Sequence, residues 1–133
     1  MRAGFSEIDI TPAAGVKKIG WMEDLACDVV LDPLHARTAV FDDGVQRLAW
    51  IQLDTLSIRW TQVNRIRRRI ESEYGFPGAH VMVSATHNHA GPALAGVFPV
   101  PRDDAYIAML ETRCVAGFGQ ALAALEEADL GFM

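Results

Sequence analysis

The segment "HARTAVFDDGVQRLAWIQLD" restricts the fold more than any other stretch of this chain. Two apolar-rich arms, "HARTAVF" and "VQRLAWIQLD", flank "DDG", and Asp-Gly between such arms is a strong hairpin signal. The second arm carries Leu48, Ala49, Trp50, Ile51 and Leu53 almost without a polar break. That density predicts a central strand covered on both faces, ending at Asp54.

The rest of the chain supplies elements to pack on this ribbon. From Ser57 to Glu73 the apolar period becomes helical, with Val63, Ile66 and Ile70 on one side and Arg and Glu between them. "YGFPG" ends that helix with the usual Gly and Pro breakers. "HVMVSA", His80 to Ala85, is a short strand that delivers "THNHAGPA" as the loop leaving its C-terminal end. In open α/β sheets such strand ends are where sites form. Asp103 or Asp104 caps a last helix, which carries Ile107, Leu110, Cys114, Phe118, Leu122 and Leu125 on one stripe. Gly117 and Gly119 inside it either weaken the helix or allow close packing. Ahead of the hairpin, "FSEIDI" reads as a short strand stopped by "TPAAG", and residues 15–34 read as a long irregular loop of the kind that serves a site or a contact surface. The closing "EEADLGFM" begins another apolar pattern. The expected class is α/β (α+β): a mixed sheet with a hairpin and two packing helices, in a single domain over residues 1–133.

Half of the residues are apolar and the formal net charge is -5, so the chain has material for a core and no phosphate-tracking basic face. Nucleic acid is not an expected partner. The one basic cluster, "RIRRR" at Arg65 to Arg69, reads as the solvated face of the first helix. Two cysteines give no disulfide framework; Cys114 reads as a buried thiol, and Cys27 is open. The opening "MRAGFSEIDITP" lacks a secretory apolar region, and no apolar stretch reaches the length of a transmembrane segment. The expectation from these features is a cytoplasmic protein.

His87 and His89 stand two apart in the "THNH" loop, a spacing that lets two imidazoles converge. Imidazole suits zinc, which in catalytic sites takes three protein ligands and keeps a position for water. Spacing alone favours a hydrogen-bonded polar loop and leaves a metal site as the minority reading. Asp54 ends the central strand and has three readings: it accepts an imidazole N–H, binds a metal directly, or caps the next helix, as Ser57 could. His35, Asp54, Glu7, Asp9, Asp28 and Asp32 are the available third ligands, none in a motif.

The run "SATHNHAGPA" resembles the "ATHTHSGP" signature of the neutral/alkaline (non-lysosomal) ceramidases and their bacterial relatives. Other segments agree in the same order. "GFSEIDITP" resembles the family's opening strand, and Gly20–Trp21 stands where the family has Gly-Tyr. "DPLHARTAVFDDG" is similar to its hairpin, "LAWIQLD" to its strand ending in Asp, and "LEEADLGF" to the segment after its next helix. The resemblance covers essentially the whole chain and marks it as the N-terminal part of a larger catalytic domain.

This resemblance implies a zinc-dependent hydrolase of amide bonds. It makes His87 the metal ligand and His89 the catalytic histidine beside the substrate carbonyl. Thr86, Gly91 and Pro92 shape the loop, and Asp54 matches the aspartate at a strand end. Asn88 and Ala90 replace the signature's Thr and Ser, which bears on the substrate more than on the metal. The family's remaining ligands, a histidine followed by a glutamate and a tyrosine, come downstream of anything present here. The implied state is a fragment or one subunit of a split enzyme, inactive as the isolated chain and acting on a small amide substrate. A second chain would supply the remaining ligands, or the chain would form a homo-oligomer. The alternatives are a truncated, non-catalytic binding or structural domain without a complete metal site, and a generic small α/β protein.

Overall fold

The computed structural model describes residues 1–131, so the last two residues of "LEEADLGFM" lie outside the described part. In chain order the elements are β1 (Arg2–Asp9), β2 (Lys17–Lys18), β3 (Leu25–Ala26), β4 (His35–Asp42), β5 (Arg47–Leu53), α1 (Trp60–Tyr74), a 3-10 turn (Gly78–His80), β6 (Val81–Ala85), α2 (Asp104–Ala123) and β7 (Glu126–Glu127). Five strands form a mixed sheet in the order β6-β5-β4-β1-β7, and β2 pairs with β3 in a separate ribbon.

The hairpin forms around the predicted turn. Strands β4 and β5 pair antiparallel from Ala36↔Leu53 to Asp42↔Arg47. Gly44 takes the turn's positive φ, and the Asp43 carboxylate accepts the Val45 and Gln46 amides. Strand β1 begins earlier than its apolar alternation indicates and pairs with all of β4, because β4 offers eight residues of ladder. Helix α1 is the crossover that returns the chain to β6, which pairs with β5 in parallel.

Helix α2 lies over β1 and β4, and α1 packs beside it. Val40, Ile51 and Leu53 of the sheet meet Ile66 and Ile70 of α1 and Leu110, Cys114 and Phe118 of α2 in one core. Asp103 is the N-cap of α2, its carboxylate accepting the Tyr106 amide. Gly117 serves close packing. Ile8, Ser6 and Thr38 press against it, and the Ser6 hydroxyl donates to its carbonyl.

Several expectations change. β5 is interior to the sheet but covered on one face only. Ala49, Ile51 and Leu53 are buried under the helices, while Leu48 and Trp50 are exposed on the other side. Helix α1 starts at Trp60, with Arg59 as the N-cap residue, so neither Asp54 nor Ser57 caps it. The arginine run is not merely solvated. Arg65 binds the buried Glu111 of α2, and Arg67 donates to the Val81 carbonyl, so both join elements together. Residues 15–34 are not wholly irregular, because β2 and β3 pair within them. Among the described residues no helix is long and apolar enough to cross a membrane.

Phe118 is fully buried and touches the rings of Tyr74 and Phe76. Phe118→Ala is expected to destabilise the fold by about 3–5 kcal/mol, read as a lower urea midpoint. Burial pushes the Cys114 thiol up to about 12, whereas Cys27 is only half-buried. The thiolate is the reactive form, so a thiol reagent at neutral pH should modify one cysteine in the folded protein and both in denaturant.

Candidate functional site

The parallel pairing of β5 and β6 brings their C-terminal ends together. Beyond the last register pair, Leu53↔Ala85, the two chains stay in contact. The Thr86 amide donates to the Leu53 carbonyl and the His87 amide to the Thr55 carbonyl. His87 sits there with φ +64, in the left-handed region that a β-carbon disfavours. Asn88 pins the turn by accepting the Ala90 amide and donating to the Thr86 hydroxyl. Gly91 and Pro92 are buried, and the Gly91 carbonyl accepts the Ile19 amide. The loop therefore stands between the end of β5 and the segment that follows β2.

That segment orients His89. Its Nδ1 lies 3.1 Å from the Gly20 carbonyl oxygen. A carbonyl can only accept, so in the neutral ring Nδ1 carries the hydrogen and Nε2 keeps the lone pair. The Trp21 indole donates to the His89 carbonyl at 2.8 Å and meets the imidazole edge-to-face at 5.9 Å. Gly20 has φ +101, and a β-carbon built there would stand 2.3 Å from His89 Nδ1. Only glycine allows this approach. His87 stands beside His89, with ring centroids 5.5 Å apart, and is exposed.

The loop thus brings two imidazoles side by side, fewer than the three protein ligands a catalytic zinc takes. An imidazole held through one nitrogen by a backbone carbonyl presents the other as a ligand or base. The donor chemistry of His87 and His89 suits zinc. The set is incomplete, because among the described residues no three His, Cys, Asp or Glu side chains stand together as a metal group.

Of the acidic candidates, Asp54, Glu7 and Asp9 are engaged elsewhere, Asp28 is exposed, and Asp32 borders the same cavity as His89. The Asp54 carboxylate accepts the His35 amide at 3.0 Å and the Arg37 guanidinium at 2.9 Å. Arg37 also binds Glu7, whose carboxylate lies 3.6 Å from His35 Nε2. The Asp54 and Glu7 partners raise the pKa of Arg37, the hydrogen bond it donates to Asp54 foremost. Asp54 thus locks the start of β4 to the end of β5. It accepts a backbone amide and a guanidinium rather than an imidazole N–H. Asp9 accepts the Thr11 amide and turns the chain after β1.

An apolar cavity of about 430 Å³ opens beside His89. Trp21, Val29, Leu31, Pro33 and Leu34 wall it, with Cys27 among the lining residues. Sequence reasoning matched Gly20–Trp21 to a family position without seeing its task. A lone glycine in a loop carries no local sign of a histidine 69 residues away.

No protein-family model matches the sequence, and no curated protein matches it significantly. Solved structures do match. Neutral ceramidase from Pseudomonas aeruginosa superposes with a TM-score of 0.82 at 24% identity, over 94% of this chain and 22% of that one. A ceramidase complexed with C2 superposes at 0.81, again at 24% identity, over 94% of this chain and 21% of its own. The chain therefore has the fold of a part of ceramidase and spans about a fifth of the length of the structures it matches.

Gly20→Ala forces the β-carbon into the imidazole at a positive-φ position. We expect it to destabilise the fold by about 1–3 kcal/mol and to release His89 from its single tautomer. Nitrogen-15 NMR of the imidazoles checks this, and an unchanged Nδ1–H signal would refute the orienting role of Gly20.

Proposed function

We propose that this chain forms one wall of a zinc-dependent hydrolase site for non-peptide amide bonds. The observation that carries the reading is the pair of neighbouring imidazoles, one of them held through Nδ1 with its Nε2 directed by a backbone carbonyl. The ceramidase fold supports it. His87 would hold the metal. Bound zinc supplies an acidified water and polarises an amide carbonyl.

The protein's own groups do the rest. His89, held in one tautomer by Gly20, accepts a proton at Nε2 and, once protonated there, donates to the reacting carbonyl oxygen or returns the proton. Asn88 and the buried Gly91–Pro92 step keep the loop in place. The cavity walled by Trp21, Val29 and Leu31 receives an apolar part of the substrate and excludes water from that side. The remaining ligands come from a further polypeptide segment or chain. A second reading, a non-catalytic domain that keeps the loop, is favoured by one observation: the described residues contain no three-membered ligand group.

In the assembly that contains the missing ligands, His87→Ala is expected to abolish bound zinc and amide hydrolysis together. Elemental analysis showing unchanged zinc in that variant would sink the assignment. His89→Ala should retain most of the zinc yet lower kcat by about 100-fold or more, the scale of a lost general acid–base group. In the non-catalytic reading, the wild-type assembly holds no stoichiometric zinc and neither substitution changes its metal content.

A further inference from the structure

The arginine run on α1 is held in two different ways. Arg65 commits its guanidinium to both oxygens of Glu111, and Arg69 commits its own to Glu73 and the Thr112 hydroxyl. Arg67 and Arg68 are anchored through Nε alone. Arg67 donates to the Val81 carbonyl at 2.8 Å and Arg68 to the Asn64 carbonyl at 3.2 Å. The Arg67 guanidinium also lies 5.2 Å from the centre of the Trp60 ring. A guanidinium carries five N–H donors in a planar fork. With Nε engaged, the Nη hydrogens of both side chains meet no acceptor and no carboxylate among the described residues.

Both forks open on one cleft. Positions three and four apart share a helix face, and Asn64, Arg67, Arg68 and Glu71 line a cleft of about 300 Å³ with Gly78 and Ala79 of the 3-10 turn. Gly78 lets that turn stand close, since a β-carbon there would lie 3.0 Å from the Arg67 carbonyl oxygen. Glu71 is the one acid lining the cleft, and it pairs with neither arginine. Two fixed forks suit a phosphoryl group, which offers three terminal oxygens and up to two negative charges. A carboxylate fills only one fork. The chain's net charge of -5 draws no anions from a distance, so affinity for one has to be local. We propose that this cleft binds the phosphoryl group of a phosphomonoester between Arg67 and Arg68. Anchoring at Nε leaves little side-chain freedom to lose on binding. The cleft stands beside Val81, where β6 begins, whereas the histidines follow the far end of that strand. It is separate from the hydrolase site. A soluble ester and a phosphatidic acid headgroup present the same oxygens, and the test tells them apart.

Inorganic phosphate titrated into the full chain, followed by NMR at the arginine Nε–H signals, tests the proposal. The Arg67 and Arg68 signals should shift saturably with a Kd of about 1 mM, while those of Arg65 and Arg69 stay in place. Arg68→Gln gives up only a contact within its own helix and should weaken binding at least about tenfold, the worth of a charge-assisted pair. Arg68→Lys keeps the charge but loses the fork and should weaken it about threefold or more. Glu71→Gln removes the competing carboxylate and should tighten it by about threefold. Flotation with phosphatidylcholine vesicles containing phosphatidic acid identifies the source. A wild type that floats while Arg68→Gln stays behind assigns the lipid headgroup; a wild type that binds phosphate yet stays behind assigns a soluble ester. The proposal falls if the Arg67 and Arg68 signals do not saturate, or if acetate shifts them equally. It also falls if either Arg68 variant binds as the wild type does, or if Glu71→Gln fails to tighten binding. None of these readouts involves zinc, so the phosphoryl site and the hydrolase reading stand or fall separately.

Discussion

The parallel pairing of β5 with β6 is the constraint on which the histidine end of the molecule depends. A parallel neighbour needs a crossover, and α1 is that crossover. The pairing then delivers two strand ends side by side, and their last ladder bonds continue into the loops as Thr86 to Leu53 and His87 to Thr55. Slip the register by one residue and Val81 and Val83 would turn away from the helices while the histidine loop lost its backbone partners. The site is therefore secured by the core rather than by the loop that carries it.

A second layer of constraint comes from the segment before the hairpin. Ile19, Gly20 and Trp21 make three separate contacts with the 89–91 stretch: a backbone bond, an imidazole held at Nδ1, and an indole donating to a carbonyl. Each is modest in energy, of the order of 1 kcal/mol for an ordinary hydrogen bond. Together they set position and tautomer at once. On the opposite side of the strand ends, Glu7, His35, Arg37 and Asp54 form a polar cluster that fixes where β4 begins relative to the end of β5.

What was legible in the sequence was what local pattern encodes. The Asp-Gly turn placed the hairpin, and Val63, Ile66 and Ile70 gave the first helix its buried side. The stripe from Ile107 to Phe118 did the same for the second. The strand before "THNH" and its loop followed from composition and breakers. The misreadings have a common physical origin in contacts distant along the chain. Trp50 sits in a dense apolar run, which cannot reveal that one face of the strand lacks a covering layer. Arg65 reads as a solvent residue until Glu111, 46 positions on, is brought beneath it. Asp54 ends a strand in either account, but only the register of β4 shows that Arg37 and the His35 amide claim its carboxylate. The same limit hid Gly20, whose requirement is set entirely by a ring from another segment.

The left-handed backbone at His87 sets stability and chemistry against each other at one residue. A β-carbon in that region costs on the order of 1 kcal/mol, and glycine is the residue that removes the cost. The sequence nonetheless holds an imidazole there, exposed and with little packing to offset the strain. Selection for a more robust fold alone would drift toward His87→Gly and empty the loop of its outermost donor. Histidine in that conformation gives up backbone stability, and the proposed metal-binding role is what would offset the loss. Under the proposed function, a programme to harden this scaffold would leave residue 87 unimproved.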